Sequence, residues 1–345
     1  MLLYVEELKK MLRCKSSWLV MIAILAIQVG AVFSSYNALE TECGNVAEYN
    51  TYADQYNGTL MIDMVDSNDI QKMKMDTYQR ASNTKEEYFY ERYLAAISRS
   101  IEYKDHYNDG NEPKYWNCIG INDLVQNIAT SVSTIFVFIG LIWGLHPLFL
   151  KDIENGMDKI IYSSYHGRNE ILRAKCIAGI IFEVIWVTIY YVSITLLTVT
   201  VFKNAGALAA PINYVPCLYL CPVQIKVWQY LIIGYLLLLI ASTFMTACMM
   251  LVYARVKKVI VGIGMGLVLT FMPMFIPKNG NIGRIFCLLP TVFGGANLIV
   301  GENLRIKCLG TEISVLGLGC MILPIGTVLL FLLLKRIFWN GRVEL

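Results

Sequence analysis

Charge is what this chain of 345 residues has least of. Asp, Glu, Lys and Arg make up 16% of it, histidine occurs three times, and 56% of the residues are hydrophobic. The mean hydropathy is +0.53. Soluble globular chains carry about 25% charged residues, so this deficit argues against a soluble enzyme, and the apolar excess argues against a disordered chain. The ten cysteines are scattered, which excludes a disulfide-dense mini-protein. None falls in a Cys/His grouping with metal-ligand spacing, so no metal site is expected. The phosphate-cradling pattern G-x-x-x-x-G-K-[ST] is missing, so this chain does not hydrolyse ATP through such a loop. The apolar stretches hold no Ser/His, His/Glu or paired-Asp constellation, so no catalytic or cofactor-binding residues are expected. A formal net charge of +3 is too small to point to nucleic acid.

What the chain does have is long charge-free runs. Stretches 16–39, 124–150, 227–254, 259–277 and 313–334 lack Asp, Glu, Lys and Arg, and 176–202 is interrupted only by Glu183. About 20 mostly apolar residues suffice for a helix to cross roughly 30 Å of hydrocarbon. The first run starts only at Trp18, after a charged leader, and is longer than the core of a signal peptide, so it reads as a retained span. The run 285–301 is shorter and holds Pro290 and Gly294-Gly295. It is expected to be re-entrant or interfacial, covered by protein or water. His146-Pro147 is expected to bend or end the second span, and Pro273 and Pro277 to break the fifth.

The expected fold is therefore an all-α polytopic membrane protein with six transmembrane helices. Residues 1–15 form a cytoplasmic interfacial helix and 16–36 the first transmembrane helix. Residues 37–125 form a mainly helical extracellular domain, and 126–345 hold the other five helices, the loop 151–175 and the re-entrant segment 285–301. Charge sets the orientation. Segment 37–125 carries 8 Lys+Arg against 16 Asp+Glu, a formal −8, which leaves +11 on the rest of the chain. The basic pieces 1–15, 151–175, 255–258 and 335–345 then lie in the cytoplasm with both termini, in a cell (plasma) membrane.

Residues 1–15 place Met1, Val5, Leu8, Met11 and Leu12 on one helical face, with Glu6, Glu7, Lys9, Lys10 and Arg13 mostly on the other. That pattern suits a helix lying in the membrane interface. In segment 37–125, Thr84-Lys85-Glu86-Glu87 matches a capping box, followed by Tyr90, Tyr93, Leu94, Ile97 and Ile101 at helical spacing. Asn57-Gly58-Thr59 matches a glycosylation sequon. Cys43 and Cys118 sit near the two roots of this segment. Either they are bridged, which would stabilise by about 4 kcal/mol in the chain-entropy model, or they are independent thiols. Cys217 and Cys221 are a weaker candidate pair.

In loop 151–175, Ile153, Met157, Ile160 and Ile161 make one apolar face on a short helix, His166-Gly167 breaks it, and Asn169 is placed to cap the third span. Such a helix across the membrane base can dock into a groove on a partner. The run Glu154-Asn155-Gly156, an apolar helix, Ser163-Ser164, Arg168, Glu170-Ile171 and Lys175 resembles the segment after the second span in type-2 permease subunits of ATP-binding-cassette (ABC) transporters. That family also has an interfacial N-terminal helix, six spans and a short re-entrant region before the last. The resemblance implies a separate cytoplasmic ATPase subunit that holds the ATP and magnesium. It also implies a second permease subunit, the same chain or a related one, and export as the direction of transport. Glu154, Asn155, Gly156, Met157, Ile160, Ile161 and Arg168 would form the ATPase-coupling element. Glu183, the lone ionisable Asp, Glu, Lys or Arg within a span, reads as either a functional site or a structural partner for hydroxyls on a neighbouring helix. The alternative to a transporter is a membrane sensor that binds a ligand through residues 37–125.

Overall fold

The computed structural model describes residues 2–57, 88, 92, 95, 116–154, 156, 165–218, 221, 223, 225–256, 258–277, 280–301, 304–308 and 311–340. The capping box and the tyrosine stripe expected after it lie outside these residues. Helix α1 (Leu2–Leu12) precedes α2 (Lys15–Cys43), and α3 (Val46–Ala53) follows. The second apolar run is broken into α4 (Ile121–Ile128), α5 (Ser131–Leu145) and α6 (Pro147–Glu154). Then come α7 (Tyr165–Phe202), α8 (Val227–Arg255), α9 (Val259–Phe271), the short α10 (Gly280–Phe286) and α11 (Pro290–Phe293), and the last helix, α12 (Val315–Asn340).

Local chemistry explains the breaks. Gly44, at φ 82°, ends α2, and its N–H donates to the Glu40 carbonyl. The Asn45 side chain then accepts from the N–H groups of Ala47 and Glu48, restarting the chain as α3. Thr130 caps α5 by accepting from the Ser133 N–H. Pro147 opens α6, where its missing N–H costs nothing, so His146-Pro147 divides the second run as the sequence implied. The third span differs from expectation. Helix α7 runs unbroken from Tyr165 through Gly167, so Asn169 lies inside the helix and caps nothing. A helical glycine costs only about 1 kcal/mol, less than is gained by continuing so long a helix. The first span also continues past residue 36, to Cys43. Its 29 residues reach roughly 44 Å, more than the hydrocarbon thickness.

Among the described residues, five stretches are long and apolar enough to cross a membrane: Lys15–Cys43, Ser131–Asp152, Asn169–Phe202, Val227–Arg255 and Val315–Phe338. The run 259–277 forms a shorter apolar helix, Val259–Phe275, whose last turn tightens to 3-10 geometry at Pro273. It starts beside the end of α8, where Tyr253 fills the space at Gly262. At its far end the Thr270 carbonyl accepts from the Thr291 hydroxyl at 3.0 Å. The run 285–301 is not one helix. Helix α11 and a wide turn at Asn297–Gly301 are wedged among the long helices, with Gly294 against Thr134 and Ala241 and Gly319 against Phe293.

One element lies outside the all-α expectation. Strands β1 (Arg305–Cys308) and β2 (Thr311–Ser314) form an antiparallel hairpin with Arg305 opposite Ser314. Four-residue strands in a charged loop leave little periodicity to read.

The core runs through α5, α7, α8 and the α11 wedge, where Phe138, Trp186, Tyr190, Tyr253 and Phe293 are fully buried. Apolar side chains also cover the outside. Ile260 is 84% and Phe275 83% exposed, and Leu19, Ile325 and Leu332 line other outer faces, as expected where the surrounding medium is lipid. At the N-terminal face, the Phe338 ring of α12 meets the Phe149 ring of α6 with centroids 6.1 Å apart. Helix α6 also packs on α1, so both ends of the described chain lie at one face.

Gly120 has φ +75°, and a Cβ there would fall 2.5 Å from the Phe202 ring. Gly120→Ala is therefore expected to cost about 1–3 kcal/mol and to lower the thermal midpoint in detergent. Gly264→Ala, with nothing within 4 Å, is expected to leave it unchanged or slightly raised.

Candidate functional site at the neck of the 151–175 loop

Helix α1 lies across α6 and α7, and the contact is electrostatic at its centre. Lys175 Nζ, about three turns into α7, donates to Asp152 Oδ2 at 2.5 Å and to Glu7 Oε2 at 3.2 Å. Lys10 Nζ donates to Glu7 Oε1 at 2.8 Å and to Asp152 Oδ1 at 2.9 Å. The four groups form a closed ring in which each carboxylate uses one oxygen per lysine, and the formal charges sum to zero. Lys175 also donates to the Leu148 carbonyl and stands 5.1 Å from the centroid of the Phe149 ring. Lys175, Glu7 and Asp152 are 1%, 5% and 6% exposed. Ions so deeply buried are tolerated only when paired and hydrogen-bonded on all sides. The ammonium of Lys10, nearer the edge, is lowered by burial but raised more by its bonds to Glu7 and Asp152, so it titrates above its ordinary 10.5.

This geometry revises the reading of the interfacial helix. Glu7 and Lys10 belong to its expected polar face, yet they turn inward with Met11, while Leu3 and Leu12 stay partly exposed. Burial of Glu7 is possible because two cations neutralise it. A second joint lies at the α1–α2 elbow. The Ser17 hydroxyl donates to the Trp143 carbonyl at 2.7 Å, and His146 Nδ1 stands 2.6 Å from the same oxygen. A carbonyl only accepts, so Nδ1 carries the proton, and His146 Nε2 faces Cys14 Sγ at 4.0 Å.

The neck thus joins three elements, and the loop it closes holds most of the expected coupling residues. Glu154 ends α6, and Gly156 follows in an exposed turn with φ +67°, a conformation that favours glycine. Arg168 lies in the first turn of α7. Asn155, Met157, Ile160 and Ile161 lie outside the described residues.

Glu183 is fully buried on α7. Its Oε1 accepts from the hydroxyls of Ser242 at 2.5 Å and Thr243 at 3.0 Å, both on α8. The Thr188 and Tyr235 hydroxyls pair at 2.8 Å, and the Tyr191 hydroxyl donates to the Leu231 carbonyl at 2.7 Å. Together these pins set the antiparallel register of α7 on α8, and Glu183 is one of them.

At the other face, Cys43 and Cys118 are buried thiols, not a disulfide. Hydrogen bonds join the two roots instead. Asn117 Nδ2 donates to Asn50 Oδ1 and Asp54 Oδ1, each at 3.0 Å. The Asn57 Oδ1 accepts from the Asn117 N–H at 2.6 Å, and its Nδ2 donates to Asp54 at 2.9 Å, so the sequon amide is engaged at both ends. Asn50 Nδ2 donates to the Phe202 carbonyl at 2.5 Å, and Asn204 Nδ2 to the carbonyls of Asn117 at 2.9 Å and Ile119 at 3.2 Å. Cys217 and Cys221 are likewise thiols, and burial pushes that of Cys217 up to about 12. Among the described residues, no group of three or more His, Cys, Asp or Glu is placed to hold a metal ion.

Sequence reasoning put Glu7 and Lys10 on the polar face of the interfacial helix, named Lys175 only within the family-like segment and did not single out Asp152. The available signal was opposite charge at the two ends of the 151–175 loop, each abutting an apolar run. The asparagine joint, built from residues far apart in the chain, had no local signal.

Long apolar helices, an amphipathic helix clamped to their base and a loop closed by a buried charge ring define a multi-pass helical membrane protein. Residues 1–282 match the model of the ABC-2 family transporter proteins, and the chain belongs to that family. No curated protein and no solved structure matches it.

Lys175→Met leaves two buried carboxylates with Lys10 alone and is expected to destabilise by about 3–5 kcal/mol. Lys10→Met, at the partly exposed edge, is expected to cost less than about 1 kcal/mol. Thermal unfolding of the purified protein separates them, and no loss of stability from Lys175→Met would contradict the ring. The contribution of Lys10 is complete below pH 10.5 and is lost as pH rises through its raised value, so its small effect is expected to vanish only in strong alkali.

Proposed function

We propose that this chain is the membrane-spanning permease subunit of an ATP-driven ABC exporter, forming the pathway as a dimer with a second permease and coupled to a separate cytoplasmic ATPase. Membership of the ABC-2 family supports the transporter reading. The observation that carries the coupling is the charge ring, which binds both ends of the 151–175 loop to the interfacial helix. A partner pressing on the loop then moves α1, α6 and α7 together. In this reading the N-terminal face is cytoplasmic, in keeping with its basic residues, residues 37–125 are extracellular, and the membrane is the plasma membrane. The short helix Val259–Phe275 makes the sixth crossing, an even number that suits two chain ends at one face, and 285–301 is re-entrant. ATP and magnesium bind the partner, whose closure switches the permease between two conformations. The substrate is a peptide, drug or lipid-like molecule.

Purification from its own membrane in mild detergent tests this. The expected result is stoichiometric capture of a subunit carrying a phosphate-binding loop, and loss of that subunit when residues 157–164 are replaced by a Gly/Ser linker while the permease stays folded. A folded permease that captures no ATPase would overturn the proposal and favour the sensor alternative.

A further inference from the structure

Helix α7 is fastened about three turns from its start, at its far end and along its middle. It runs from Tyr165 to Phe202 with no proline, whereas α12 contains Pro324 and the second run divides at Pro147. Lys175 lies in the charge ring toward one end. At the other end the Phe202 carbonyl accepts from Asn50, the Phe202 ring meets Tyr36 edge-on with centroids 5.7 Å apart and fills the space at Gly120, and Asn204 holds the carbonyls of Asn117 and Ile119. The 28 residues from Lys175 to Phe202 span about 40 Å. Between them, the Glu183, Thr188 and Tyr191 pins attach α7 to α8, so the two helices resist bending as a pair.

A helix resists axial compression, and this one is held at each joint by several directional bonds. Displacing either joint must therefore break it or move the rod. We propose that α7 is a strut linking the 37–125 insert to the 151–175 loop, so that a load on the insert alters the loop and movement of the loop alters the insert. On the transporter reading, which this extension rests on, the state of the insert sets the rate of the attached ATPase. The warrant is contiguity between two multi-bond joints through one stiff element.

Hydrogen exchange on the full chain in lipid nanodiscs tests the strut without an ATPase, so its failure is distinguishable from failure of the transporter reading. Asn204→Ala removes two bonds of the outer joint. The expected result is several-fold faster exchange at the Cys14 and Leu150 amides, which bond to Met11 and His146 at the ring end. In the reverse direction, Lys175→Met is expected to speed exchange at Asn117 and Ala207, whose amides bond to Asn57 and Asn204 side chains. Thr291→Val, which cuts a buried bond off the strut, controls for general loosening. If Asn204→Ala folds poorly, Asn50→Ala removes the Phe202 bond while leaving Asn204 intact. Effects confined to residues near each substitution, or equal effects from Thr291→Val, would overturn the strut. In the purified complex, Asn204→Ala is expected to change basal ATP hydrolysis, and an unchanged rate with altered exchange would overturn the link to the ATPase.

Discussion

The arrangement at the N-terminal face depends on four charges that cancel. Glu7, Lys10, Asp152 and Lys175 come from three helices, and each is held by both opposite charges in the ring. Burying any one alone would be prohibitive in so apolar a setting. Together they form a neutral polar knot that fixes where α1 crosses, how α6 leaves the second span and where α7 passes them. The same economy holds inside the helix bundle. The Glu183 carboxyl meets hydroxyls of a neighbouring helix, and Trp186 donates to the Val137 carbonyl, so much of the polarity among the long helices is spent on holding them in register.

The two faces use different chemistry for the same purpose. At the N-terminal face the central joint is ionic, with a hydroxyl and an imidazole sharing one carbonyl at the elbow beside it. At the other face they are built from the side-chain amides of Asn50, Asn57, Asn117 and Asn204, which bond one another, backbone groups and the Asp54 carboxylate. A side-chain amide both donates and accepts, so a few asparagines can satisfy the backbone groups left at the end of α7 and at the returning root of the insert. That is the task a Cys43–Cys118 bridge was considered for. The hydrogen bonds do it with several weaker contacts spread over both roots.

Much of the scaffold was legible in the sequence because lipid imposes a simple requirement. Long charge-free runs became long helices, and Pro290 with Gly294-Gly295 marked the segment that is not one helix. The partition of charge anticipated that both ends of the described chain share a face. What was hidden depends on tertiary context. Gly167 lies inside a helix because the rest of α7 outweighs its local cost. Glu7 read as part of a polar face, because its burial depends on Lys175, 168 positions away. The asparagine joint links positions 50, 117 and 204, and the hairpin at 305–314 is too short to show a period. In the site, sequence located the loop, but the ring that closes its neck emerged only from the fold.

In the proposed function, the loop closed by this ring is where an ATPase subunit bears on the permease. Glu170 is exposed at the start of α7, beside that loop, and is free of the ring. The most direct measurement places a photo-crosslinking amino acid at position 170, with position 260 on the outer apolar face as comparison, and irradiates the protein in its native membrane. The account predicts a protein adduct from position 170 that contains an ATP-hydrolysing subunit, and lipid or permease adducts from position 260. Adducts from position 170 with lipid alone, or with proteins of the opposite side of the membrane, would contradict it.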